Sequence, residues 1–165
     1  MEKFFLETED NINIAVNHIK NNHKEVIILV HGWFMTKDSR AFSSLADDLS
    51  AYFDVISFDC RGHGKSSGFY TFTSKETIDL KTVVDYAKSF YEKIYLIGFS
   101  LGGALVLIHS ALNKDVDKVI AVSAPSDFNK IENQMWKKEA WLPTLKKFEP
   151  ERWFSIRPSL IMQKK

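Results

Sequence analysis

The sequence predicts an α/β fold, a mostly parallel β-sheet with helices on both faces. Short apolar runs typical of buried strands alternate with longer runs whose apolar residues recur at helical spacing. Successive strands of such units lie parallel, because the helix between them makes a right-handed crossover. The four irregular segments rich in Gly, Ser, His and Asp each follow a predicted strand, where ligands gather in sheets of this kind.

The bulk composition fits one globular domain and argues against several classes of protein. The chain has 165 residues, of which 45% are hydrophobic, enough to bury a core. A formal net charge of +1 gives no reason to expect a nucleic-acid partner. The apolar run near the N-terminus is too short for a signal peptide, and no run reaches the length of a membrane span. A single cysteine, Cys60, cannot form an internal disulfide, so we expect a cytoplasmic protein.

The first half of the chain predicts three strands, a helix and a fourth strand. Residues 3–8 and 12–19 are predicted to pair as a hairpin, and residues 25–30 form an apolar run typical of a strand buried on both faces. A helix follows, capped by Asp38 or Ser39. Its apolar positions recur at helical spacing: Phe42, Leu45, Ala46, Leu49 and Phe53. Residues 54–58 are the next strand.

The second half continues the alternation. A capping box of Thr73 and Glu76 predicts the start of another helix. Its apolar face contains Leu80, Val83, Val84, Ala87 and Tyr91. A strand over 93–97, a helix over 104–112 and a strand over 118–123 complete the predicted sheet.

The junction after the fifth strand carries the motif Gly98-Phe99-Ser100-Leu101-Gly102. A serine that exposes its hydroxyl at the end of a buried strand must occupy a tight, strained turn, and flanking glycines let the strand and helix approach closely. Ser100 would then stand at a helix N-terminus, where negative charge is stabilised. A dinucleotide-binding fingerprint is excluded, because Ser100 occupies the place of its second glycine. A simple packing turn is the alternative.

This motif resembles the nucleophile elbow of the α/β-hydrolase fold family, and the resemblance covers residues 1–128. The sequence His31-Gly32-Trp33 follows the third strand, where that family places the second half of its oxyanion hole. The resemblance implies that Ser100 is the nucleophile and that the backbone N–H groups of Trp33 and Leu101 bind the oxyanion. It implies a supporting role for Gly98, Gly102, His31 and Gly32. For His31-Gly32, an ordinary turn after a strand is the alternative.

The segment Arg61-Gly62-His63-Gly64-Lys65-Ser66 is not a phosphate-binding loop. The Walker pattern requires glycine at the position of Asp59. The segment resembles the family's loop after the fourth strand, which has a structural role. We therefore expect His63 to be a hydrogen-bonded loop residue rather than a base, and Cys60 to fill apolar space.

A catalytic base is missing from the pattern. A serine nucleophile needs a histidine oriented by an acid, and the family supplies them in the order Ser, Asp or Glu, His. The one histidine after Ser100 is His109, about 13 Å further along the predicted helix, so we expect no catalytic histidine in this chain. Asp127 is a candidate acid, and equally a candidate cap for a helix near Asn129.

The resemblance also implies two further strands that the chain lacks, so we interpret it as a truncated or split hydrolase. A bare sixth strand would be an apolar edge that natural proteins cover, which predicts a complementing chain or self-association there. Residues 129–165 are basic and aromatic, and we interpret them as the beginning of a lid over the 1–128 core. A membrane-surface element is the alternative for that stretch.

The resulting functional hypothesis is a serine hydrolase that cleaves an ester, thioester or amide. Its expected substrate is a small molecule with an apolar acyl group, and we expect no cofactor and no metal. The alternative is a catalytically inactive relative that binds a ligand or partner at the same rim of the sheet.

Overall fold

The computed structural model describes residues 1–127, which contain every strand and helix predicted within that part. In chain order the elements are β1 (Glu2–Glu7), β2 (Asn13–Ile19), β3 (Glu25–Val30), α1 (Arg40–Leu49), β4 (Asp54–Phe58), α2 (Glu76–Lys88), β5 (Lys93–Phe99), α3 (Leu101–Asn113) and β6 (Lys118–Val122). The predicted lid and the helix near Asn129 lie outside the described residues.

The strands form one sheet in the order β1-β2-β4-β3-β5-β6. The pairs β1/β2 and β2/β4 are antiparallel, and the other three pairs are parallel, so the predicted mostly parallel sheet is confirmed. The strand β3 has β4 on one side and β5 on the other, which makes its carboxyl end a topological switch point. The loops after β3, β4, β5 and β6 therefore meet at one edge of the sheet.

The helices cover both faces of the sheet, as predicted, because β3 is apolar on both. Val26, Ile28 and Val30 pack into the core that β3 shares with α2 and α3. Ile27 and Leu29 pack on the other face against residues of α1. Burial of each aliphatic side chain stabilises the fold by about 1.5–3 kcal/mol, so this one strand stabilises the packing of helices on both faces of the sheet.

The predicted capping box of α2 is wrong. The N-cap position is Lys75 and makes no side-chain capping bond. The carboxylate of Glu76 is buried and accepts hydrogen bonds from the N–H and hydroxyl of Thr71, at 2.7 and 2.9 Å. Glu76 thus stabilises the loop before the helix. Thr73, the predicted capping residue, lies in that loop with a positive φ of 70°.

The other helix boundaries also differ from those predicted. The helix α3 begins at Leu101, three residues early, because close packing places Gly102 and Gly103 in its first turn despite their low helix propensity. Ser39 is the N-cap of α1 but makes no side-chain capping bond. Phe53 and Tyr91 lie beyond the ends of α1 and α2, yet both pack against the predicted clusters.

The last strand, β6, is an edge of the described sheet. Its only recorded partner among residues 1–127 is β5. Ile120 and Val122 on this strand are 55% and 38% exposed. The predicted complementing chain or self-association at this edge stays a prediction. None of the helices in the described part is both long and apolar enough to span a bilayer.

Candidate functional site

Ser100 stands at the corner between β5 and α3, in a strained backbone conformation. Its φ of 52° and ψ of −119° lie where L residues are rarely found, and such a conformation costs about 1–3 kcal/mol. The Ser100 N–H donates to the carbonyl of Val122 at 2.8 Å, which ties the corner to the end of β6. Its side chain is exposed and makes no hydrogen bond to any described residue. The corner therefore presents a hydroxyl to solvent at the carboxyl edge of the sheet.

The glycines around Ser100 are required by close backbone approach. A Cβ on Gly98 would lie 2.2 Å from the carbonyl oxygen of Gly102, and a Cβ on Gly102 would lie 2.4 Å from that of His31. A Cβ on Gly32 would lie 3.1 Å from the Cβ of Ser100. The first turn of α3 thus packs directly on the ends of β3 and β5, and the loop after β3 touches the serine.

Two backbone N–H groups close to this corner in the chain fold have no acceptor among residues 1–127. The N–H of Leu101 opens α3, and that of Trp33 belongs to the loop after β3; neither donates to a carbonyl among residues 1–127. Both residues line one small cavity, together with Gly32 and Gly102. Unpaired N–H groups at a helix start carry partial positive charge. Donors of this kind favour an acceptor that carries negative charge.

His31 holds the loops after β3 and β4 together. Its Nδ1–H donates to the carbonyl of Gly32 at 2.8 Å, and its Nε2 accepts the backbone N–H of Cys60 at 3.0 Å. Burial lowers the pKa of His31. The ring is therefore neutral, and both of its nitrogens form hydrogen bonds that connect the two loops. Cys60 is a buried apolar residue, as predicted.

The other candidate histidines are also engaged in the fold. His63 donates Nδ1–H to the Arg61 carbonyl at 3.2 Å, and its ring packs on His31 and Tyr70. His109 donates Nε2–H to Asp115 at 2.9 Å, near the far end of α3. Burial lowers the pKa of His109. Both are placed as supports of the fold, which agrees with the role predicted for His63.

Arg61 anchors the loop after β4 and is buried. Its backbone N–H and Nε both donate to the carboxylate of Asp79 on α2, each at 2.8 Å. Its terminal nitrogens reach Asp10 in the β1–β2 turn, at 2.7 and 2.9 Å. The hydrogen bond from Arg61 lowers the pKa of Asp10 to about 2. The predicted structural role of this loop thus has a specific cause, a buried guanidinium shared by two acids.

One residue at the site was not anticipated from the sequence. Tyr70 is 5% exposed and lines the same cavity as Trp33 and Leu101. Its hydroxyl is buried and has no hydrogen-bond partner in the described part, and the same holds for Nε1 of Trp33. No signal around Tyr70 distinguishes it from a core aromatic, because its environment also depends on the loop after β3 and the start of α3, which are distant in sequence.

Asp127, the candidate acid, is the last described residue. It is half-buried and follows β6 at the same edge of the sheet as Ser100. Among the described residues, no group of three or more His, Cys, Asp or Glu side chains could hold a metal ion.

Comparisons with known proteins agree with this architecture. The sequence profile of the alpha/beta hydrolase fold matches residues 25–150. A Bacillus subtilis AB hydrolase superfamily protein, YisY, is 32% identical over 128 residues, covering 73% of this chain and 44% of the relative. A probable alcohol acetyltransferase of Wickerhamomyces anomalus is 33% identical over 96 residues, covering 57% of this chain and 27% of the relative.

A solved structure shows the same fold. The esterase Pf2001 of Pyrococcus furiosus superposes with a TM-score of 0.78 at 28% identity, covering 93% of this chain and 60% of that chain. The present chain spans less than half the length of the two curated relatives. Strand order, the Ser100 corner and the family profile lead to one conclusion: the chain belongs to the α/β-hydrolase fold family.

Proposed function

We propose that Ser100 is the nucleophile of a serine hydrolase that cleaves a carboxylic ester, thioester or amide. The observation that carries the proposal is the strained, exposed Ser100, next to Leu101 and close to the Trp33 loop, whose two backbone N–H groups donate to no carbonyl among residues 1–127. The similarity to an esterase structure supports the same reaction class.

In this mechanism the Oγ of Ser100 forms a bond to the substrate carbonyl carbon. The π electrons of the carbonyl move to its oxygen, and the N–H groups of Trp33 and Leu101 stabilise the resulting negative charge. Loss of one such donor costs about 3–4 kcal/mol in a characterised serine hydrolase. Both donors are part of the backbone and are held by the close packing at Gly32 and Gly102, so they need little reorganisation during the attack.

The proton of Ser100 requires a base, and we place that base outside this chain. His31 has both ring nitrogens occupied, and His109 is bound to Asp115 near the other end of α3. Asp127 remains the proposed acid that orients the base, because it follows β6 at the site edge.

Collapse of the tetrahedral intermediate breaks the bond to the alcohol, thiol or amine, which leaves with the proton that the base took from Ser100 and gives an acyl-serine. The second half of the reaction then determines the product. Attack by water on the acyl-serine gives a carboxylic acid, whereas attack by an alcohol gives a new ester. The similarity to a probable alcohol acetyltransferase makes acyl transfer the alternative to be tested. Mass spectrometry of products formed with and without added alcohol separates the two outcomes. The predicted apolar acyl group and cytoplasmic location are parts of this proposal.

A fluorophosphonate probe tests the nucleophile on the complete natural protein. We expect one labelled peptide, containing Ser100, and no labelling after Ser100→Ala. Ser110→Ala is the matched control, because Ser110 lies on the same helix away from the corner and bonds to the Leu107 carbonyl. Labelling that survives Ser100→Ala would contradict the proposal.

Ester turnover separates an enzyme from an inactive binding protein. Ser100→Ala should greatly reduce turnover, although an oxyanion site alone can leave about 10³-fold acceleration over water. Equal turnover by the parent protein and Ser100→Ala would favour the binding protein.

A further inference from the structure

Two buried donors near the start of α3 have no hydrogen-bond acceptor among residues 1–127. Within residues 1–127, neither the hydroxyl of Tyr70 nor Nε1–H of Trp33 has a hydrogen-bond partner, although both residues line the same cavity. Burying a polar group without a partner is costly. A pair of such groups in one cavity indicates a place where a ligand supplies the missing acceptor.

Tyr70 and Trp33 both require an acceptor, whereas His63, which also lines the cavity, has an acceptor nitrogen at Nε2 because its Nδ1–H donates to the Arg61 carbonyl. Indole N–H can only donate. Burial raises the pKa of Tyr70 well above its usual range, so its hydroxyl stays protonated and can donate as well. Glu76 also lines the cavity, but its carboxylate is bonded to Thr71.

The size of the cavity and the charge of its lining limit further which acceptor can bind there. The cavity opens to solvent, and its enclosed part has room for about one water-sized group. An aromatic ring is therefore too large for the interior. A carboxylate is disfavoured because Glu76 is buried in the same wall. A ketone oxygen or a similar neutral oxygen fits both limits.

We propose that this cavity is a subsite for an uncharged oxygen acceptor in the acyl part of the substrate, bound by Tyr70 O–H and Trp33 Nε1–H. The proposal rests on the proposed function, because the cavity is an acyl subsite only if Ser100 attacks the adjacent carbonyl. Leu101 and Gly102 line both the cavity and the start of α3, so an acyl chain held at Ser100 can place a nearby oxygen inside.

Binding measured without turnover tests the subsite. The complete chain carrying Ser100→Ala is titrated by NMR with methyl hexanoate and with its 3-oxo, 4-oxo and 5-oxo analogues. We expect one oxo analogue to bind about 5- to 50-fold more tightly than methyl hexanoate, the range of a hydrogen bond to buried donors. The indole N–H signal of Trp33, assigned with Trp33→Phe, should move downfield with that analogue and not with methyl hexanoate.

A second substitution assigns the preference to Tyr70. Tyr70→Phe should reduce the oxo preference to less than about 3-fold, since it removes one of two donors. Tyr52→Phe, at a side chain that is 75% exposed, is the matched control and should keep the full preference. Equal binding of all four esters, or equal effects of Tyr70→Phe and Tyr52→Phe, would overturn the proposal.

Thermal unfolding gives an independent readout. Tyr70→Phe should unfold at the same or a higher temperature, because it deletes a buried hydroxyl without an internal partner. A clear drop in the unfolding temperature would show an internal partner and contradict the subsite. Failure of the probe to label Ser100 would instead remove the proposed reaction while leaving the measured binding preference intact.

Discussion

The strain at Ser100 has a consequence that can be measured at the level of one residue. A positive φ at a non-glycine residue is retained only when the surrounding structure imposes it. Here the imposing contacts are the bond from Ser100 N–H to Val122 and the packing of Gly98 on Gly102. The conformation is thus held by elements on both sides of the corner, at a cost in stability.

Ser100→Gly should therefore stabilise the fold while removing the proposed nucleophile. Glycine adopts this conformation without strain, so we expect a gain of about 1 kcal/mol after its larger unfolded-state entropy is included. Ser100→Ala keeps the strain and should show no such gain. Urea unfolding of both variants checks this prediction, and equal stability of the two would show that the corner is unstrained.

Two adjacent glycines of α3 should respond differently to alanine. A Cβ on Gly102 would lie 2.4 Å from the backbone oxygens of Val30 and His31, whereas one on Gly103 would lie 3.0 Å from the Cβ of Ala124. Gly102→Ala should lower the free energy of unfolding by about 1–3 kcal/mol or more, because the new Cβ overpacks against rigid backbone. Gly103→Ala recovers about 1 kcal/mol of helix propensity and should cost far less. Thermal unfolding of the two variants gives the comparison, and equal losses would contradict it.

The residues that could be predicted from the sequence are those whose environment is local. Gly98, Ser100 and Gly102 lie within five positions, so their spacing, together with the strand before and the helix after it, predicts the corner that the structure contains. The environment of Tyr70 depends on loops after β3 and β4 and on the start of α3. No local pattern encodes such a meeting, so the donor pair could be found only in three dimensions.

At the scale of elements, the buried Arg61 joins the loop after β4 to α2 and to the β1–β2 turn. The carboxylate of Asp79 accepts two bonds from this residue, and that of Asp10 accepts two more. Sequence similarity predicted a structural loop there. The partners could not be predicted, because Asp10 and Asp79 are distant from Arg61 in sequence.

Asp79→Asn should strongly destabilise the protein. It leaves Asp10 as the one remaining acidic partner of the Arg61 guanidinium among residues 1–127, and removing one partner of a buried ion pair costs about 3–5 kcal/mol. Asp85→Asn is the control, because Asp85 lies on the same helix in an exposed pair with Lys81 and Lys88. That substitution should cost less than about 1 kcal/mol. Similar losses in urea unfolding for both variants would show that burial does not govern the Asp79 pair.

Element boundaries were the weakest part of the sequence prediction, for a physical reason. The capping pattern at Thr73 and Glu76 assumed that the carboxylate serves the helix, but tertiary burial turns it towards Thr71. The start of α3 was placed late because Gly102 and Gly103 are poor helix formers. In both cases tertiary packing decides the helix boundary, because the free energy of packing exceeds the differences in local propensity.

At the scale of the whole molecule, the site follows from where the sheet changes direction. The alternation of strands and helices predicts parallel pairing, and the apolar character of residues 25–30 predicts a central strand. With β3 between β4 and β5, the loops that carry Trp33 and Ser100 become neighbours. The fold thus gathers the site from segments that the sequence separates by more than sixty residues.

The buried histidines should reduce stability as the solution becomes mildly acidic, whereas Asp79, whose pKa burial raises to about 7, has the opposite effect over the same range. Burial lowers the pKa of His18, His31 and His109, and that of His18 falls to about 4. The His18 ring is bonded to the hydroxyls of Tyr86 and Tyr91, at 3.1 and 2.5 Å. These histidines remain neutral in the folded protein, while the unfolded chain binds protons below about pH 6.5. Each of them therefore favours unfolding as the pH falls from about 6.5 towards its folded pKa, and has no effect above that window.

His18 alone should lower the free energy of unfolding by about 2 kcal/mol between pH 7 and pH 5. Urea unfolding at half-unit pH steps measures this slope. The slope of the free energy of unfolding against pH reports the number of protons bound on unfolding. His18→Gln should reduce that number by about one, whatever it does to stability at pH 8, because glutamine does not titrate. Acid titration of Asp10 falls in a separate window below about pH 4, since its pKa is lowered to about 2. A slope between pH 7 and pH 5 that is unchanged by His18→Gln would show that the buried ring is protonated in the folded protein.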